Sequence, residues 1–150
     1  MPGAYGAVMA IGVQVTFDCA DPARLSEFWT AALGYKMSDP PEGFDTWQAW
    51  AADAGIPEEN WNDMSDAVDP AGAGPRLLFQ KVPEPKTAKN RVHLDVNVGA
   101  GLRGTERRAV VDEAAQRLEG LGASRVEPME LRDEYWIIMR DPEGNEFCLQ

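Results

Sequence analysis

One pattern, a strand, a helix, a Leu-Gly step and then further strands, occurs twice in this chain and restricts its fold more than any other feature. In the first copy, residues 13–19 (VQVTFDC) alternate and are rich in β-branched and aromatic side chains, which predicts a strand. Asp21 and Pro22 then offer an N-cap acid and a proline suited to the first helical position. Leu25, Phe28, Trp29, Ala32 and Leu33 recur at helical spacing, and Gly34 suits the helix end. Residues 35–37 begin another strand, and residues 76–82 (RLLFQKV) read as one more.

The second copy opens with a strand at residues 92–98 (VHLDVNV). A helix over 105–121 follows, with Val110, Val111, Ala114, Ala115 and Leu118 on one broad face and Gly122 as its stop. Strands at 124–131, 135–139 and 146–150 complete it, the last two joined by the tight turn 141–145 (DPEGN). Gln14 and His93 occupy equivalent places in the two opening strands. Two βαβββ units would give two sheets that curl toward each other around a cavity. The expected layout is a flexible tail at 1–12 and one domain at 13–150, with modules at 13–82 and 91–150 and a polar, proline-bearing linker at 83–90.

Residues 38–75 interrupt the first copy with five prolines and four glycines. Phe44, Trp47, Ala51 and Ala54 would share a helical face, and residues 57–61 look like another helical start, so short helices between loops are expected. Phe44, Trp47, Trp50 and Trp61 either form a lid over an apolar ligand or a small core that fixes the insertion to the sheet or to a second subunit. Trp47, Trp50 and Trp136 are accordingly candidate cavity residues, whereas Trp29 belongs to the helical core stripe.

Charge excludes some partners. Fourteen Lys and Arg stand against 25 Asp and Glu, a net charge of −11, with no long basic stretch to replace counterions on phosphate. Neither nucleic acid nor an anionic membrane is an expected partner, and no apolar run approaches the roughly 20 residues of a spanning helix. The first ten residues lack a basic and an apolar region of the secretory type, so a cytoplasmic protein with free thiols at Cys19 and Cys148 is expected. His93 is the one histidine, so no two-histidine metal motif exists within the chain.

Three stretches together resemble the vicinal oxygen chelate superfamily, also called the glyoxalase/bleomycin-resistance/dioxygenase superfamily. They are QVTFDCADPARLSEFWTAALGY at 14–35, PRLLFQKVPEPKTAKNRVHLDV at 75–96 and DPEGNEFCL at 141–149. The likeness is to its glyoxalase-like domain branch and runs from Val13 onward. It implies an α+β fold in which two βαβββ modules form a half-open, eight-stranded cup, here with an irregular helical insertion. In metal-using members four ligands point into the cup. The equivalent positions are Gln14, Gln80, His93 and Cys148. Glutamates usual at two of them are replaced by Gln80 and Cys148. The set therefore suits zinc or nickel better than the harder divalent ions, or holds no ion at all.

Each candidate carries two readings. His93 shares its strand face with Asp95, an arrangement for a general base with a neighbouring carboxylate; otherwise it is a ligand contact or a hydrogen-bonded histidine. Gln14, Thr16 and Asp18 share a face that points either into a wet cavity or to solvent. Cys148 is either a ligand or a small buried hydrophobe. The resemblance implies a small-molecule protein, either a lyase or isomerase acting on a compound with adjacent oxygens, or a non-catalytic sequestering protein of the bleomycin-resistance type. A homodimer is the expected assembly.

Overall fold

The computed structural model describes residues 9–150. Most of the expected tail lies outside the described residues; Met9 and Ile11, within them, are exposed. Strand β1 (Val15–Cys19) leads into helix α1 (Pro22–Leu33). The Asp21 carboxylate accepts the Arg24 amide at 3.3 Å, Pro22 opens the helix, and Gly34 ends it at φ +70°, a left-handed geometry glycine adopts without strain. Leu25, Phe28, Trp29 and Ala32 are buried along its inner face.

The insertion holds helix α2 (Trp47–Asp53), capped by Thr46, and a single 3-10 turn at Glu58–Asn60. It also contains strand β2 (Met64–Ala67), which the sequence reading placed among loops. Strands β3 (Leu77–Lys81) and β4 (Asp95–Val96) follow, then helix α3 (Gly104–Glu119) and strands β5 (Ser124–Leu131), β6 (Glu134–Arg140) and β7 (Glu146–Leu149).

The strands form two sheets, β1-β3-β2 and β4-β7-β6-β5. Seven strands stand where eight are expected. Residues 35–37 make only one bridge, between Lys36 and Val68, instead of a strand. Counting that bridge, both sheets run in the order first, last, third, second. β1 pairs parallel with β3 and β4 pairs parallel with β7, while all other pairings are antiparallel. The strand expected over 92–98 is reduced to two residues, at the edge of its sheet.

One core joins both sheets. Val15, Phe17 and Cys19 turn toward it, while Thr16 and Asp18 take the exposed face. Phe17 stacks on Phe79 at 5.1 Å, and Trp29 of α1 meets Phe147 of β7 at 5.0 Å. Polar contacts reinforce the join. Buried Trp29 donates its indole Nε1–H to buried Asp141 at 3.1 Å. The same carboxylate accepts the Glu143 and Asn145 amides and the Asn145 side chain, which shapes the 141–145 turn. Burial pushes the Asp141 carboxyl up, against the pull of these donors. Glu143 in turn accepts the Ala20 and Asp21 amides ahead of α1.

Candidate functional site

A groove of about 720 Å³ runs between β1 and the segment that leads into β4. Thr16 and Asp18 line it from β1, Lys86, Asn90 and His93 from the connecting segment, and Glu146 from the start of β7. Alternation in β1 explains its first wall. With Phe17 committed to the core, Thr16 and Asp18 must face away from it.

His93 and Asp95 sit on one side of the edge segment, with His93 Nε2 3.3 Å from Asp95 Oδ1. The parallel register then sets Asp95 opposite Cys148. One ligating atom each from His93, Asp95 and Cys148 lies within 4.8 Å of the other two. Burial, the neighbouring Asp95 charge and a hydrogen bond to Asp95 push the Cys148 thiol up, while Lys89 opposes them. Cys19 behaves differently. It is buried, donates to the Gln80 carbonyl at 3.5 Å, and burial followed by the charge of Glu143 pushes it up to about 12.

The histidine, carboxylate and thiol fit a zinc-class ion. Tetrahedral ligands of zinc stand roughly 3.5 Å apart, so a shift of about 1 Å closes this set and leaves a fourth position open. A bound ion would be held by the Cys148 thiolate, the Asp95 carboxylate and the His93 imidazole, and the two anionic ligands would balance a dication. The set offers one hard oxygen ligand, too few for magnesium or calcium.

The two glutamines engage other partners. Gln14 is exposed and its side-chain oxygen accepts Arg76 Nη1 at 2.8 Å; Arg76 also pairs with buried Asp66 at 3.0 Å. Gln80 donates to Asp18 at 2.8 Å across the β1–β3 pairing. Among the described residues, the grouping of potential metal ligands is thus His93, Asp95 and Cys148, without a glutamine from the first sheet. Trp47 and Trp50 pack edge to face at 5.5 Å, and Trp47 donates to the Ser38 carbonyl at 2.8 Å, away from the groove lining. Trp136 is half-buried on β6, on the face opposite Tyr135 and Ile137.

Sequence reasoning did not single out Lys86, Asn90 or Glu146. The Glu146 carboxylate accepts the Asn90 amide at 2.9 Å and pairs with Lys86 Nζ at 3.2 Å. The Asn90 N–H first, and Lys86 with it, hold that carboxyl down at about 2. A proline-bearing polar stretch before a strand was the only signal, and it gave no hint of the residue it contacts.

The glyoxalase-like domain profile matches residues 14–150. No curated protein sequence matches the chain. A glyoxalase/bleomycin resistance protein/dioxygenase family enzyme from Burkholderia phytofirmans PsJN is similar at 15% identity and a TM-score of 0.60, over 91% of this chain and 94% of that one. A glyoxylase/bleomycin resistance protein/dioxygenase domain from Frankia sp. EAN1pec is similar at 15% identity and 0.58, over 95% and 97%. A mutant of the fosfomycin resistance protein FosX from Listeria monocytogenes, complexed with Mn(II) and 1S,2S-dihydroxypropylphosphonic acid, is similar at 13% identity and 0.60, over 95% and 90%. No helix among the described residues is long and apolar enough to cross a membrane. With paired sheets of like strand order and a profile match over nearly its whole length, the chain belongs to the glyoxalase-like domain family.

Proposed function

We propose that this protein binds a small molecule with adjacent oxygens in the groove beside His93 and acts on it as a lyase or isomerase, with a zinc- or nickel-class ion held by His93, Asp95 and Cys148. The observation that carries the reading is the convergence of an imidazole, a carboxylate and a thiol at the edge of a groove. Such an ion, when bound, supplies Lewis-acid polarisation of the ligand's oxygens. The chain supplies the rest. Cys148 and Asp95 neutralise the added charge. Thr16 offers a hydroxyl to orient the ligand. Asp18, steadied by Gln80 at 2.8 Å, is a carboxylate on the opposite wall able to take a proton at Oδ2. Without an ion, the His93–Asp95 pair is the proton acceptor, with Asp95 orienting the ring.

A second reading, ligand sequestration without chemistry, draws support from the two glutamines. Gln14 and Gln80 are satisfied by Arg76 and Asp18, so the first sheet adds no ligand to the cluster. Elemental analysis of the untagged protein after exposure to Zn²⁺, Ni²⁺ and Mn²⁺, alongside His93→Ala and Cys148→Ser, separates the two. One equivalent of zinc or nickel that disappears in both variants supports the metal-assisted reading. No retained metal in any condition sinks it and leaves metal-free proton transfer by the His93–Asp95 pair or sequestration.

A further inference from the structure

Residues 83–91 cross from the first sheet to the second without regular structure, and residues 83–89 are exposed. They form one wall of the groove through Glu84, Pro85, Lys86, Thr87 and Ala88. Firm points lie at either end. Val82 donates to the Cys19 carbonyl at 3.0 Å, and the Leu94 carbonyl accepts the Cys148 amide at 3.0 Å. Within residues 83–91, among the described residues, every hydrogen bond or ion pair from this strap to the rest of the protein ends on one residue, Glu146. Its Oε2 takes the Asn90 amide at 2.9 Å and Lys86 Nζ at 3.2 Å, and its main-chain oxygen takes Asn90 Nδ2 at 3.3 Å.

We propose that Glu146 is a latch: its carboxylate holds the strap against the groove, and letting go of the strap opens the groove to ligand. The strap has no buried apolar side chain of its own to hold it, so its attachment rests on these polar contacts. Segments with few buried contacts open at a small fraction of the global unfolding free energy. The firm ends let the strap swing out while both sheets stay intact. Pro83 and Pro85 stiffen its first part, which favours movement as a unit over local crumpling. The Lys86–Glu146 pair is better sheltered than a typical surface pair, with side-chain exposures of 23% and 13%, so it holds more firmly than an open ion pair would. Glu146 acts here as a positioning residue.

The inference rests on the groove being the ligand site only for what the latch admits. The latch itself is tested without a ligand. Lys86, Lys89 and Arg91 place three trypsin sites in the strap. Cys148, close enough to feel the charge of Lys89, reports access by its rate of alkylation with N-ethylmaleimide, while buried Cys19 stays silent. Glu146→Ala is expected to raise both strap cleavage and Cys148 alkylation about tenfold, in line with the loss of one charged and one main-chain hydrogen bond. Glu146→Gln keeps an acceptor for Asn90 and is expected to fall between the two. Lys86→Met breaks the latch from the exposed side, with cleavage followed after Lys89 and Tm unchanged; it carries the test if Glu146→Ala does not fold. Unchanged cleavage and alkylation in a natively folded Glu146→Ala or Lys86→Met protein would overturn the latch. So would increases that merely track a lowered Tm. A latch that behaves as expected in a protein that retains no metal would leave the latch standing and remove only the metal-assisted reading.

Discussion

Replacing Asp141 by alanine tests how the second half of the chain is locked to the first. The carboxylate accepts from the Trp29 indole, the Glu143 and Asn145 amides and the Asn145 side chain, and Trp29 is 1% exposed. The Trp29 N–H cannot reach water after the change, and a stranded buried donor costs about 1–3 kcal/mol. The turn donors are half-buried and partly rehydrate, which removes about 0.5–1.5 kcal/mol for each of two backbone bonds. The expected loss is therefore about 3–4 kcal/mol, large against a typical total stability of about 5–15 kcal/mol. Trp29→Phe, which leaves the carboxylate its other donors, is expected to cost about 2 kcal/mol, including the smaller ring. Equilibrium urea unfolding of the wild type, both single variants and the double variant gives the coupling directly, expected at about 1–2 kcal/mol. An Asp141→Ala loss below about 1 kcal/mol, or strict additivity in the double variant, would show that Asp141 does not lock the halves through Trp29. The turn also sets the start of β7, so Asp141→Ala should lower metal retention at Cys148 if the cluster holds an ion.

Two further substitutions probe the first half. Asp21→Ala removes the α1 cap and should cost about 1 kcal/mol at neutral pH. The Asn62 side chain first, then the Arg24 amide, hold the Asp21 carboxyl below its usual 3.8. Its contribution is therefore present above that value and fades as the pH falls through the lower folded one. Thermal melts should show the gap between wild type and variant closing only in acid below pH 3.8, and a gap that widens there would contradict the assignment. Asp66→Ala removes the partner of the half-buried Ser38 hydroxyl and amide and of the half-exposed Arg76 guanidinium, at an expected cost of about 1–3 kcal/mol. Urea midpoints within error of the wild type would show that solvent replaces those bonds freely.

Both long helices and five of the strands, β1, β3, β5, β6 and β7, were readable in the sequence because their signals are local, and β4 was readable in part. Asp21, Pro22 and Gly34 bracket α1, alternation marks β1, and a short apolar run marks β6. Strand β2 was not readable. Met64–Ala67 (MSDA) has little β preference, and its pairing with β3 is decided by the surrounding sheet rather than by its own residues. The bridge at Lys36 is short for a similar reason. At the candidate site, strand parity places Asp95 with His93, and the parallel register, a tertiary fact, brings Cys148 to them. Gln14 and Gln80 were named by position, but Arg76 and Asp18 are long-range partners that no local pattern announces. Glu146 was illegible for the same cause. Its partners Lys86 and Asn90 lie far away in sequence, and nothing near residue 146 points to them.

The join between the sheets bears on how such a chain varies over time. Trp29 with Asp141, Glu143 with the Ala20 and Asp21 amides, and Phe147 against Trp29 hold the halves together by contacts that use no residue of the peptide link between them. The covalent connection is thus relieved of most of the task of keeping the halves in register. Doubling the length of a loop adds only about 0.6 kcal/mol of closure entropy. Descendants of this gene are free to lengthen, shorten or rewrite that crossing, and so to remodel one side of the groove, while the packing that defines the fold stays untouched.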